Sequence, residues 1–269
     1  MDFNDVKIVF LDLDGTLLDD NKIISEVNKK ELKRLIAQNI IICYDSGCSI
    51  NRMQKTLKQF MPNGPLITYN GVKIYDNNFN VIYHQLFSKN ECEVVIKYCL
   101  NNDLNMIIWS NDLIYTSKLN DKTIGYSQRN SLEAICLGLD IKSYQNIINS
   151  GVDKILIYED NRILQKVKDD LMYLKETNIA FSDINYLEFF HKNASKGEAV
   201  KIVCEYLNIS IDYSMGFGDQ NNDEAMLDIV KYPIVMGQSK LKDKNKYLFV
   251  TSSNNDDGVA KILNNIKGE

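Results

Sequence analysis

An α/β fold, with a Rossmann-like parallel-sheet core interrupted by an inserted α+β domain, is what this sequence predicts. Short apolar runs of strand length alternate with amphipathic segments near both ends of the chain, the pattern of a parallel sheet flanked by helices. Between them the rhythm changes to hairpin spacing and mixed segments. At 269 residues the chain is also longer than one hydrophobic core usually serves. The expected division is a discontinuous core at 1–85 and 186–269 around an inserted domain at 86–185.

Ile8, Val9, Phe10 and Leu11 read as a central strand. Residues 25–38 follow as a helix, with Leu32, Leu35 and Ile36 on one face and Ser25 placed to cap the start. A second buried-type run at 40–44, a helical pattern ending near Phe60 and a third strand at 66–69 continue the alternation. After Asn70-Gly71, residues 72–75 and 81–83 flank Asp76-Asn77-Asn78 as a hairpin. The inserted block then holds a helix near 91–100, strands at 106–109, 113–116 and 154–158, and a helix ending near Leu174. Its midpoint, 121–150, has only weak helical patterning. Strand and helix alternation returns with a helix at 196–207, a strand ending at Phe217, a helix at 222–230, a strand at 233–236 and a last helix at 258–266.

Composition narrows the function. Apolar residues at 45% and charged residues at 25% fit a globular protein. A net charge of −5 disfavours nucleic acid or an anionic membrane as partner, since either needs surplus Lys and Arg. The six cysteines lack a CxxC pair or zinc-like spacing, so free thiols are expected. With neither a leader pattern nor a membrane-length apolar stretch, a cytoplasmic location is expected.

The chemistry concentrates at strand ends. Asp12 and Asp14, in Asp12-Leu13-Asp14-Gly15-Thr16, follow the first strand directly, where open α/β sheets place their sites. Such an i, i+2 pair serves phosphoryl transfer if one carboxylate attacks phosphorus and the other handles the leaving-group proton. Gly218-Asp219-Gln220-Asn221-Asn222-Asp223 follows another strand and opens a helix, so its carboxylates can reach the same sheet edge. Acidic side chains beside a dianionic phosphate require a divalent cation, and oxygen ligands favour magnesium. Ser46, at the end of the second strand, offers a hydroxyl and an N–H to phosphoryl oxygens, and Gly47 lets the backbone come close. Taken alone these are capping or turn residues; together they form a constellation.

DxDGT after an apolar strand, with GDxxND downstream, resembles the haloacid dehalogenase superfamily, specifically its Cof-type (subfamily IIB) phosphatases with an inserted C2-type cap. The resemblance implies that Asp12 is the nucleophile, giving an aspartyl phosphate, and that Asp14 is the acid and base. It implies a magnesium site at Asp12, the Asp14 carbonyl and Asp219, with Asp223 contributing directly or through water. Lys196, in Ala194-Ser195-Lys196-Gly197, is the implied cation holding the nucleophile and the phosphoryl charge, and Asn222 joins Ser46, Gly47 and Lys196 around phosphate. The expected function is hydrolysis of a small phosphorylated metabolite, a sugar phosphate or a phosphorylated cofactor. A phosphomutase or phosphotransferase using the same intermediate, or a binding protein without turnover, are the alternatives.

Three departures stand out. Ser46-Gly47-Cys48 replaces the usual Thr-Gly-Arg, removing a basic side chain. Gly237-Gln238-Ser239 replaces Gly-Asn-Ala, which puts a substrate-side contact in doubt. Cys48 sits near a helix start and is read as a small packing residue rather than an activated thiol. His84 and His191, the two histidines, have no metal-like or triad-like spacing. Trp109, Tyr115 and Tyr126 are read as core packing before an aromatic wall for substrate.

Overall fold

The computed structural model describes residues 3–267. The chain forms two compact units. The first comprises the residues up to Cys48, Met53–His84 and Ser195 onward; the second comprises Ser49–Arg52 and Gln85–Ala194.

In chain order the strands are β1 (Ile8–Leu11), β2 (Ile41–Asp45), β3 (Leu66–Thr68), β4 (Lys73–Tyr75) and β5 (Val81–His84) in the first unit. The second unit supplies β6 (Met106–Ser110), β7 (Leu113–Thr116), β8 (Ala134–Cys136), β9 (Lys154–Tyr158), β10 (Thr177–Asp183) and β11 (Tyr186–His191). The first unit resumes with β12 (Ser214–Gly218), β13 (Tyr232–Val235) and β14 (Phe249–Val250). The helices are α1 (Glu26–Ala37), α2 (Ile50–Leu57), α3 (Lys89–Asn101), α4 (Asp121–Arg129), α5 (Gln145–Ser150), α6 (Asn161–Leu171), α7 (Lys196–Tyr206), α8 (Glu224–Leu227) and α9 (Gly258–Leu263).

The first unit holds an eight-stranded sheet in the order β14-β13-β12-β1-β2-β3-β4-β5. It is parallel from β14 through β3, and the β4–β5 hairpin adds an antiparallel edge. Strand β1 is buried at all four positions, because helices cover both faces of a parallel sheet and leave a continuous apolar run. On one face Ile8 and Phe10 belong to a core with Cys43, Ile67 and the α7 residues Ala199, Val200 and Val203. Helix α1 buries Leu32 and Leu35, and Ser25 Oγ caps it by accepting from Asn28 N at 3.0 Å. In the hairpin turn Asp76 Oδ1 accepts from Asn78 N and Asn80 N, each at 2.8 Å, a side-chain substitute for backbone pairing.

The second unit is a six-stranded sheet in the order β10-β11-β9-β6-β7-β8, antiparallel apart from the β7–β8 pair. Met106, Ile108, Ile155 and Ile157 lie on the face covered by helices, in one core with Val95 and Ile96 of α3 and Leu164 and Val167 of α6. Tyr115 packs against this core. Trp109 has the opposite strand parity, and its Nε1 donates to Tyr126 Oη at 3.2 Å.

Two differences from the sequence reading concern this unit. The first unit resumes at Ser195 rather than at 186, because Tyr186–His191 pairs with both β10 and β9 and buries Leu187 and Phe189 in the second core. Strand β8 lies inside the weakly patterned stretch; three residues, two of them exposed, are too few to leave a period-2 signal.

Gly197 provides a stability test. Alanine at an exposed helical glycine gains about 1 kcal/mol, but here a Cβ would lie 2.2 Å from Ala225 O, a main-chain atom that cannot rotate away. Gly197→Ala is therefore expected to destabilise the protein by about 1–3 kcal/mol, measured as a lower urea midpoint. An unchanged or raised midpoint would contradict the packing described.

Candidate active site

Strands β12, β1 and β2 are parallel neighbours whose ends coincide, since Leu11 is in register with both Phe217 and Tyr44. The residues just beyond are Asp12, Gly218-Asp219 and Asp45-Ser46. From β1 the chain runs to β2 and β3 on one side and places β12 to β14 on the other, so these ends flank the crevice where the strand order reverses. Asp12 N donates to Phe217 O at 3.2 Å and Ser46 N to Ile67 O at 3.0 Å. Both residues are thus fixed as the ladder ends.

Lys196 enters from the first turn of α7, where Ser195 Oγ caps the helix by accepting from Glu198 N at 3.0 Å. Its side chain is fully buried. Nζ donates to Asp12 Oδ1 at 2.6 Å, Asp223 Oδ1 at 2.6 Å and the Asp45 carbonyl at 2.8 Å, which uses all three ammonium hydrogens. The other oxygen of Asp223 accepts from Asp219 N and Gln220 N, each at 2.9 Å. Thr16 Oγ1 lies 3.4 Å from Asp219 Oδ1 as donor, and the Asp219 carbonyl accepts from Ser239 Oγ at 2.8 Å. One lysine and two loops therefore fix three carboxylates.

Asp12, Asp219 and Asp223 are all buried and present oxygens within 4.8 Å of one another. Burial holds the Asp12 carboxyl well above the usual carboxylate range; Lys196 opposes the shift, and Asp223 and Asp219 add to it. Asp219 is pushed up to about 6, chiefly by burial and then by Asp223. Burial works to lower Lys196, but Asp12, Asp223 and Asp45 overcome it and hold the ammonium above the ordinary lysine range. Three carboxylates facing one cation, all with hard oxygen donors, suit a small divalent ion.

Asp14, Ser46, Cys48, Asn222 and Gln238, also singled out in the sequence, lie in the same unit. Asp14 is half-buried and pairs with Lys22 Nζ at 2.8 Å. The Ser46 hydroxyl accepts from Cys48 N at 3.2 Å and donates to Cys48 Sγ at 3.2 Å, so Cys48 supports the serine. Asn222 Nδ2 donates to Asn70 Oδ1 at 3.0 Å. Gln238 is exposed; its Nε2 donates to the Gly15 carbonyl at 2.5 Å, and its Oε1 accepts from Asn254 N at 3.2 Å. It ties the Asp14-Gly15 turn to the loop before α9. Neither histidine joins the cluster: His84 ends β5, and His191 Nδ1 accepts from Asn193 N at 3.2 Å in its own turn of the second unit.

Two residues escaped the sequence reading. Asp45 is fully buried, and neither of its carboxylate oxygens has a hydrogen-bond partner among the described residues. Burial pushes it up to about 8, with Lys196 opposing and Asp223 reinforcing the shift. Its signal was a lone carboxylate closing the apolar run at 40–44. Asn70, read as a change of rhythm, stands between Gly47 and Asn222. An Asn-Gly pair at a strand end was its only mark.

Residues 9–263 match the model of the haloacid dehalogenase-like hydrolase family. The chain belongs to that family. A relative from Buchnera aphidicola (subspecies Baizongia pistaciae) is 32% identical, covering 96% of this chain and 97% of its own. The 5-amino-6-(5-phospho-D-ribitylamino)uracil phosphatase of Bacillus subtilis is 26% identical over 96% of this chain and 95% of its own. Among solved structures, a Thermotoga maritima protein superposes with a TM-score of 0.87 at 25% identity, covering 98% of each chain. A subclass IIB sugar phosphatase of the superfamily superposes at 0.80 with 19% identity, covering 96% of this chain and 98% of its own, a likeness of fold. The chain is thus a phosphatase of the haloacid dehalogenase superfamily, with the fold of a subclass IIB member. No helix among the described residues of this phosphatase is long and apolar enough to cross a membrane.

Asp45 sets a pH test for this phosphatase. The folded chain keeps its proton to about pH 8, whereas an unfolded chain releases it near the ordinary value of 3.8. The folded state binds more protons across that window, so this group erodes stability as pH rises through it. Asp45→Asn cannot ionise. Its melting temperature is expected to fall less steeply than that of the parent between roughly pH 5 and pH 8. Parallel curves would show that Asp45 is already ionised in the folded protein.

Proposed function

We propose that this phosphatase is a magnesium-dependent phosphomonoesterase working through an aspartyl phosphate on Asp12. The observation that carries the reading is Lys196 bound at 2.6 Å to both Asp12 and Asp223, inside a buried carboxylate cluster at the crevice of the sheet. A carboxylate held in one orientation by a buried cation is prepared for in-line attack.

In this reading the Asp12 carboxylate displaces the alcohol from phosphorus, while Asp14 passes its carboxyl proton to the leaving oxygen. Asp14 then takes a proton from the water that hydrolyses the acyl phosphate, which regenerates both side chains. The Ser46 hydroxyl, the Gly47 N–H and the Asn222 amide hold the phosphoryl oxygens, and Lys196 opposes the charge that develops on them. Magnesium would be held by Asp12, Asp219 and the Asp14 carbonyl, and would supply charge neutralisation and orientation of the phosphate. Asp223 spends one oxygen on Lys196 and the other on two backbone amides, so it acts through these partners or through water.

The substrate in this reading is a small phosphorylated metabolite with a sugar or polyol portion. Supporting it are the Bacillus subtilis relative named for a phosphoribitylamino-uracil and the shared fold of a sugar phosphatase.

Asp12→Asn is expected to fold normally and show no turnover of any phosphate ester; retained turnover would exclude Asp12 as nucleophile. Asp14→Asn is expected to lose about 10²–10⁴-fold in rate on alkyl phosphates and much less on an aryl phosphate, whose leaving group needs no proton. Equal losses on both would remove Asp14 from that role. Chelation is expected to abolish activity and added magnesium to restore it. Full turnover in excess chelator would exclude the metal.

A further inference from the structure

Tyr69, Asn70 and Gly71 are consecutive residues in the left-handed region, at φ 52°, 57° and 95°. A tyrosine and an asparagine keep such a backbone side by side only where neighbouring contacts enforce it, and such strain gathers at functional sites. Tyr69 N donates to Cys48 O and Asn70 N donates to Ser46 O, both at 3.1 Å, so main-chain bonds clamp the segment to the loop after β2. Asn70 Oδ1 accepts from Asn222 Nδ2 at 3.0 Å. The same oxygen faces Gly47, where a Cβ would lie 2.9 Å away.

One amide oxygen thus meets both Gly47 and Asn222, which come from loops after β2 and β12. Those strands are not adjacent, because β1 lies between them. Asn222 is exposed, and without a partner its side chain would sample several rotamers. The left-handed turn is what carries the Asn70 side chain to this place.

We infer that Asn70 is a positioning residue of the phosphate site, fixing the Gly47 backbone and the Asn222 amide relative to each other so that both meet one phosphoryl group. The inference rests on the proposed assignment of Gly47 and Asn222 to phosphate. Asn70 acts through those two groups, in the way a supporting residue locks the rotamer of one that binds. The Asn70 oxygen stands against both, beside Gly47 and bonded to Asn222.

Asn70→Gly separates the amide from the backbone, since glycine accepts positive φ without strain. The variant is expected to keep the parent's melting temperature. Inorganic phosphate should inhibit it about tenfold more weakly as a competitor, with a similar fall in kcat/KM, the size of a coupled polar contact. Asn222→Ala should lose about as much, and the Asn70→Gly/Asn222→Ala double variant no more than about twofold beyond the larger single loss. Phosphate inhibition equal to the parent's, or losses that multiply, would overturn the proposal. Asn70→Asp, isosteric and equally compatible with positive φ, is the second variant. Its carboxylate should weaken phosphate at least as strongly, and unchanged inhibition would overturn the proposal independently of Asn70→Gly. If phosphate fails to compete in the parent protein, the phosphate site itself is wrong; if it competes there but is unaffected at position 70, only the role of Asn70 is.

Discussion

A single buried ammonium organises the first unit's crevice. Lys196 has no contact with water and spends its three hydrogens on Asp12, Asp223 and the end of β2. Burying a charge is costly unless its partners are close and well oriented, so the three elements that supply those partners must meet at fixed distances. The register of β12, β1 and β2 provides that meeting, and α7 delivers the lysine at its first residue. The same cation permits two carboxylates to lie side by side in a site that excludes solvent. Removing it would leave an acidic cluster that has to take up protons to stay folded.

The neighbourhood of that lysine is not uniformly satisfied. Asp45 contributes its carbonyl to the ammonium while its carboxyl goes unpaired among the described residues. A buried acid without a partner lowers its cost by keeping its proton. The crevice therefore contains carboxyl groups in contrasting settings: Asp223, hydrogen-bonded by an ammonium and two amides, and Asp45, which burial pushes up without a compensating hydrogen bond. Environment, not residue type, separates them.

The first unit was legible in the sequence because buried parallel strands write themselves as uninterrupted apolar runs, and Asp12, Ser46 and Asp219 each stand directly after one. Lys196 could be found only through its motif, since nothing about a lysine at a helix start announces burial. Asn70 and Asp45 stayed hidden for different reasons. The place of Asn70 depends on a left-handed turn that no periodicity encodes, and the importance of Asp45 lies in the absence of a partner. In the second unit, β10 is half-exposed along its length and β8 has three residues, so neither shows the alternation that marks a strand. The run 186–191 buries Leu187 and Phe189 on one face but also Phe190 and Glu188, the latter in an ion pair with Lys154, on the other, so no polar face marks it as a strand.

Asp12 and Lys196 are 184 residues apart in the chain, and the lysine follows the second unit by two positions. During synthesis the strand bearing Asp12 leaves the ribosome first, the whole inserted unit next, and the lysine only after that. Until then β1 has neither its β12 neighbour nor a counter-charge for its carboxylate. The central strand of the sheet is thus among the last to gain all its neighbours, while the 110 consecutive residues of the insertion, Gln85–Ala194, carry an apolar core of their own.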